Sequence, residues 1–227
     1  MANDLRVAVE VGPKGKKVAA YAPEWPGLAR GAKTPELAIE RLTSYIPRYA
    51  PIAQLAGMSE AFASAGEPRV VETYPGTGST DFWGISFAFS AFDQHPVSMA
   101  ELERELALMQ ACWAHFDEVR YRVSDELRKG PRGGGRDREH VVRHVIGNEY
   151  DWGKGIGVEP LPEGEWRDDA KLRAYHEAYA AAIRTHHAEG KMAKKWPLRY
   201  LIRHTAFHTL DHTWEMEDRD LSEVSPL

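Results

Sequence analysis

The chain contains 227 residues, 43% of them hydrophobic and 28% charged, a balance typical of a globular protein with a sizeable core. Its formal net charge of -5, with histidines counted as neutral, argues against general nucleic-acid binding. The single cysteine, Cys112, excludes an intramolecular disulfide, and the sequence has neither a signal-peptide pattern nor a membrane-length apolar run. We therefore expect a cytoplasmic protein that has no membrane partner.

The N-terminal segment predicts a small sheet followed by a helix. Alternation of apolar and polar residues at 5–11 predicts a half-buried strand, and further strands are expected at 17–22 and 28–32. Thr34 and Pro35 predict the start of a helix, because threonine caps the free N–H groups of a first turn and proline is tolerated at the first helical position.

The turn and cap residues of this segment resemble those of the HicB-like antitoxin fold. The residues that carry the resemblance are Pro23, Glu24, Pro26, Gly27, Gly31, Thr34, Glu36 and Ala38. The resemblance implies a module that binds a protein partner, such as an RNA-cleaving toxin, or one that serves only in folding or dimerisation. We interpret residues 1–92 as a HicB-like α/β module with additional strands.

Two of those additional strands are predicted beyond the helix. One is expected at 69–74. The other is indicated at 83–90, where Trp83, Ile85, Phe87 and Phe89 alternate with small residues. Such an aromatic row can stack the bases of a single strand, but no Lys or Arg interleaves with it, which favours a packed sheet face.

From residue 96 onward the pattern becomes helical. Ser98 and Glu101 form a capping box, and apolar residues then recur at three- and four-residue steps. The periodicity predicts four helices, at residues 98–127, 137–152, 168–189 and 197–218. The Gly- and Pro-rich stretch 153–166 is too long for a tight hairpin and indicates a crossover. The predicted fold is therefore α+β, with a four-helix bundle at 93–227 following the N-terminal module.

The last predicted helix carries polar groups where a core-facing stripe should be apolar. At about 100° per residue, one stripe contains Leu201, His204, Thr205, His208, His212 and Glu215. Burying several imidazoles is costly unless each finds a partner, and a divalent metal is a common partner for two imidazoles one turn apart. His144 lies on a similar stripe of the second helix and can complete a three-histidine site. Three neutral nitrogens on one side of an ion leave its other side open.

Neighbouring motifs exclude two classes of metalloprotein. A metalloprotease helix needs Glu directly after the first histidine of the pair, and Thr209 follows His208. A di-iron carboxylate bundle needs Glu-x-x-His on two helices, and only Asp137-x-x-His140 comes near that pattern.

Residues 93–227 resemble the DinB-like (YfiT-like) four-helix family. The resemblance rests on His144 with Glu149 in the second helix and on His208-x-x-x-His212 in the last. It implies that these histidines bind a divalent metal, Zn or Ni in first place and Fe or Mn as further candidates, and that a low-molecular-weight thiol is a candidate cofactor. Family activities include metal-dependent hydrolysis and thiol-dependent transfer. Where the family usually continues with His-Arg-Gly-Gln, this chain reads Thr213-Trp214-Glu215, so no particular substrate carries over.

The resulting hypothesis is an enzyme that acts on a small-molecule substrate, with His204 or Glu215 carrying the proton. The alternatives are a non-catalytic, metal-stabilised stress-response or antitoxin-like binding protein, and a bundle with a polar core and no metal. We interpret His140 as a residue near the ligands, and His176, His186 and His187 as surface residues. An apolar band at Phe207, Leu210 and Trp214 predicts a second contact, with the N-terminal module or in a homodimer.

Overall fold

The computed structural model describes residues 3–130 and 135–222, and within them the fold is α+β. A four-stranded sheet contains β1 (Asn3–Val11), β2 (Val18–Tyr21), β3 (Ala29–Ala32) and β4 (Ala65–Pro75). The strand order is β3-β2-β1-β4; β1 and β3 each pair with β2 in antiparallel fashion, and β4 pairs with β1 in parallel. The described residues also form nine α-helices: α1 (Pro35–Ser44), α2 (Ile46–Leu55), α3 (Ser59–Ala63), α4 (Gly78–Trp83), α5 (Ala91–Gln94), α6 (Met99–Arg122), α7 (Arg138–Gly153), α8 (Asp169–Ala188) and α9 (Leu198–Arg219).

The chain divides into two compact units. Unit 1 comprises Met1–Cys112 with Pro197–Phe207, and unit 2 comprises Trp113–Trp196 with His208–Leu227. Both α6 and α9 are continuous helices that contribute one segment to each unit. In the part of the chain that the structure describes, no helix combines the length and apolarity needed to cross a bilayer.

Unit 1 is built around the sheet. The short strand β2 is buried along its whole length, and helix α1 begins with the predicted cap, since the Thr34 side chain accepts the N–H of Leu37. The aromatic rings of Trp25, Tyr49 and Phe62 pack together, with 4.7 Å between the ring centroids of Trp25 and Phe62. The strands predicted at 5–11, 17–22, 28–32 and 69–74 are all confirmed, within a few residues at their ends.

The strand predicted at 83–90 is wrong. Residues 84–90 form no strand, and Trp83 ends α4 with its side chain 61% exposed. The reason is the fully buried carboxylate of Glu10 on β1, which accepts the backbone N–H groups of Phe87 and Ala88 at 3.0 Å each. A buried carboxylate needs such donors, so these N–H groups serve Glu10 and are not available to a strand ladder.

The four long helices confirm the elements predicted after residue 96. Ser98 and Glu101 form the predicted capping box, Asp137 caps α7, and Gly190 follows α8 with a φ of 65°. The first of these helices ends at Arg122, five residues before the predicted end at residue 127. Cys112 of α6 is fully buried.

Candidate metal centre

Helix α7 places His144 at the edge of its buried face. The Asp137 side chain caps the helix by accepting the N–H of His140 at 2.7 Å. The buried apolar residues of the helix are Val141, Val142, Val145 and Ile146. His144 lies three residues after the first of these, so its ring borders the apolar face and is only partly covered. A half-buried imidazole is both fixed in position and accessible.

Helix α9 places His208 and His212 one turn apart on its partly exposed side. The opposite side carries Ala206, Leu210 and Trp214, all of which are buried. Of the predicted apolar band, Leu210 and Trp214 are buried and Phe207 is partly exposed, and the second contact expected for this band stays a prediction. Because an α-helix has 3.6 residues per turn, the two imidazoles lie on one face, where the rings meet nearly edge to face with 4.7 Å between their centroids.

The three histidines meet within unit 2. The Nε2 atoms of His144 and His208 are 3.2 Å apart, and the centroid of the His144 ring lies 4.8 Å from that of His212. One ring nitrogen from each histidine can be chosen so that all three lie within 4.8 Å of one another. Two nitrogens bound to one tetrahedral Zn²⁺ at about 2.05 Å lie roughly 3.3 Å apart. The donor set and its spacing therefore fit a divalent cation, and this cluster could hold one.

Glu215 determines which nitrogen of His212 faces the cluster. His212 Nδ1 donates to Glu215 Oε2 at 2.7 Å, and Arg219 holds the other carboxylate oxygen at 2.8 Å. With its proton on Nδ1, a neutral imidazole presents the lone pair of Nε2. A carboxylate that orients a histidine in this way is a common outer partner of metal-binding imidazoles.

The protonation of the site suits cation binding. Burial, followed by the nearby His212 ring, lowers the pKa of His144 to about 4, so its imidazole is neutral at pH 7. The hydrogen bond from His212 holds the pKa of Glu215 below its usual value, so this carboxylate is charged at pH 7. The neutral imidazole of His144 near the charged carboxylate of Glu215 favours a cation over an anion in this position.

One wall of the cluster is aromatic. The indole of Trp152 meets the His208 ring nearly edge to face, with 5.2 Å between centroids and an interplanar angle of 80°. Trp152 lies at the C-terminal end of α7, two turns after His144. The indole covers part of the His208 ring, and all three histidines of the cluster are partly exposed.

His204, the other residue predicted to carry a proton, packs in unit 1 among aromatic rings. Its ring stacks on Tyr200 with 5.1 Å between centroids and 15° between planes, and it also lies against Phe87. Burial, together with the adjacent Arg203 guanidinium, lowers the pKa of His204 to about 3. Its role in proton transfer stays a prediction. His140 is exposed, and its ring nitrogen faces the cap residue Asp137 at 3.3 Å.

The sequence interpretation named Glu149 only as a residue of the family pattern and did not predict that its buried carboxylate joins four helices of unit 2. Glu149 of α7 is 1% exposed and accepts Trp113 Nε1–H of α6 at 2.8 Å and the Thr209 hydroxyl of α9 at 3.1 Å. Its second oxygen lies 3.0 Å from His176 Nε2 of α8. An acidic residue at the buried i+4 position after Val145 was the available signal, because an ionisable side chain on an apolar stripe needs partners.

The prediction that His176 lies on the surface is wrong. Its ring is buried and stacks flat on the indole of Trp113, with 4.0 Å between centroids and an interplanar angle of 3°. The buried partner Glu149 explains this placement, because it offers the imidazole N–H a hydrogen-bond acceptor inside the core.

Three imidazoles with converging nitrogens, one of them fixed by a carboxylate, can bind a divalent cation and leave part of its coordination sphere to other ligands. Those are the properties of an open metal site, in contrast to a closed structural one. No protein-family model, curated protein or solved structure matches this chain.

Proposed function

We propose that this protein binds a divalent metal ion through His144, His208 and His212 and that it is a metal-dependent hydrolase or thiol-dependent transferase of the DinB-like type. The observation that carries the proposal is the convergence of three imidazoles from α7 and α9, with 3.2 Å between two Nε2 atoms. Zn²⁺ and Ni²⁺ are the first candidates, because imidazole nitrogen suits both.

A divalent ion bound there would supply Lewis acidity to a water molecule or to a thiol. The residues of the chain have separate tasks around it. His144, His208 and His212 would hold the ion through their ring nitrogens, and Glu215 holds His212 in the tautomer that presents Nε2. The indole of Trp152 keeps water from one side of His208. We also assign proton transfer to Glu215. Its carboxylate contacts the ligand His212 and is charged at neutral pH, so it can accept a proton.

The test is metal binding by the purified chain, measured by isothermal titration with Ni²⁺ and Zn²⁺ and by elemental analysis. We expect one ion per chain in the wild type. His208→Ala should weaken binding at least about a hundredfold, because it leaves only two protein ligands. His140→Ala is the matched control, since this exposed histidine of α7 lies one turn from His144 and outside the cluster.

Unchanged metal content in His208→Ala would overturn the assignment of the ligands. Metal binding without any turnover of ester substrates or of thiol acceptors would overturn the enzymatic part of the proposal. In that case the non-catalytic, metal-stabilised role would be favoured.

A further inference from the structure

A groove of about 310 Å³ lies within unit 2, and the indole of one of its lining residues, Trp152, contacts the His208 ring. It is lined by Asp151, Trp152, Gly155, Ala193, Lys194, Lys195 and Trp196. Pockets that bind small molecules have volumes of roughly 300–1,000 Å³ and combine apolar walls with a few polar groups. The groove lies at the lower end of that range, so a small ligand would fit it.

Two indoles form the apolar walls of the groove. The ring centroids of Trp152 and Trp196 are 6.1 Å apart, and the ring planes are inclined by 47°. Both side chains are partly exposed. Partly exposed indoles that diverge at this angle present flat apolar faces to a ligand, and aromatic faces favour an aromatic or other flat apolar group.

The rim of the groove carries uncompensated positive charge. Lys194 and Lys195 are both exposed, and among residues 3–130 and 135–222 neither has a carboxylate partner. Nearby lysines differ, because Lys154 pairs with Asp151 at 2.9 Å and Lys191 pairs with Glu189 at 2.7 Å. The one acidic group of the lining is thus already neutralised, and the charge that remains at the rim is that of two ammonium groups.

The backbone holds these lysines in an unusual conformation. Lys194 has a φ of 54°, the only positive value of a non-glycine residue in the described ranges. The turn is closed by two hydrogen bonds of 2.9 Å between the backbones of Ala193 and Trp196. A left-handed conformation costs a lysine energy, and such positions cluster at sites that bind ligands. The turn fixes Trp196 and the two lysines together at one edge of the groove.

We propose that this groove binds the substrate of the neighbouring metal centre and that the substrate is a small aromatic acid. The flat ring would lie against the exposed faces of Trp152 and Trp196, and the anionic group would face Lys194 and Lys195. That the ligand is a substrate rests on the proposed metal function. The preference of the groove for an aromatic acid requires no metal.

The experiment compares two probes of the same shape by isothermal titration in buffer containing EDTA, so that no carboxylate can bind a metal ion. The probes are 2-naphthoate, an anion, and 2-naphthalenemethanol, its neutral counterpart. We expect the wild type to bind the naphthoate about fivefold or more tightly than the alcohol. The double variant Lys194→Gln/Lys195→Gln should lose this preference, and Trp196→Leu should weaken the binding of both probes about tenfold. Lys171→Gln, an exposed lysine of α8 paired with Glu165, is the control and should behave as wild type.

Equal affinity for the two probes, or a preference that survives in the double lysine variant, would overturn the inference. His208→Ala separates it from the metal proposal. Naphthoate binding that persists in this variant while Ni²⁺ binding is lost supports both proposals. A wild-type chain that binds naphthoate selectively but takes up no Ni²⁺ would support the groove and overturn the metal centre.

Discussion

The carboxylate of Glu215, one turn from His212 on α9, determines which ring nitrogen of His212 is free to bind a metal ion. Its Oε2 accepts the Nδ1 proton of His212 at 2.7 Å, and Arg219 holds Oε1 at 2.8 Å. The carboxylate is therefore fixed from both sides, and the imidazole is fixed by it. A metal ligand that is already oriented loses less conformational freedom on binding than one that is free to rotate.

We predict that Glu215→Gln weakens Ni²⁺ binding about tenfold or more, since loss of an outer partner of this kind typically costs 10- to 100-fold in metal affinity. The glutamine amide is nearly isosteric but carries no charge, so the His212 tautomer is less strongly selected. Titration calorimetry of the metal measures the effect. The control is Glu217→Gln, because Glu217 pairs with Arg122 at 2.6 Å on a different side of α9. Equal losses in the two variants would show that the charge near the helix end matters and that the contact with His212 does not.

At the level of the helices, one buried carboxylate holds α7 and α9 in the register that the metal site requires. Glu149 lies five residues after His144, and its partner Thr209 directly follows His208. A shift of either helix by one turn, about 5.4 Å, would therefore break the Glu149–Thr209 contact and the His144–His208 contact at the same time. The contacts of Glu149 with Trp113 and His176 extend the same tie to α6 and α8.

We predict that Glu149→Gln destabilises the protein by about 2–4 kcal/mol, because the amide has one acceptor oxygen where the carboxylate has two, and buried donors are left unsatisfied. Urea unfolding followed by circular dichroism gives the difference in free energy. Glu177→Gln, at an exposed position of α8, is expected to change stability by less than about 0.5 kcal/mol. A loss below about 0.5 kcal/mol for Glu149→Gln would contradict the role given to this carboxylate.

Helix and strand positions could be predicted from sequence where the deciding interactions are local. Thr34, Ser98 and Asp137 each cap a helix that starts at the next residue, and a cap depends on neighbours within three positions. The segment 84–90 could not be predicted, because its backbone donates to Glu10, which lies 77 residues from Phe87 in the chain. A period-two aromatic pattern indicates a strand only if its N–H groups remain available for pairing.

At the scale of the whole molecule, the candidate site also depends on contacts between residues far apart in the sequence, which the sequence alone does not predict. The pair His208 and His212 could be recognised from its spacing, because residues four apart share a helix face. Its meeting with His144 depends on how α7 and α9 pack, and spacing only made that meeting plausible. The partners of Glu149 and the buried position of His176 were not predicted, because their deciding contacts come from three other helices.

Bound metal should stabilise the folded chain, because its ligands come together only in the folded state. His144 and His208 are 64 positions apart, and an unfolded chain does not hold both on one ion. A ligand that binds only the folded state adds RT ln(1 + [L]/Kd), about 2.7 kcal/mol at one hundred times Kd. For a chain of this size that corresponds to a rise in Tm of roughly 5–10 °C.

We predict such a rise with Ni²⁺ in differential scanning calorimetry, reversed by EDTA and absent in His208→Ala. Mg²⁺, which prefers oxygen ligands, is the control and should leave Tm unchanged. A rise of equal size in His208→Ala would place the stabilising ion at other histidines of the chain and would remove the support that this measurement gives to the three-histidine site.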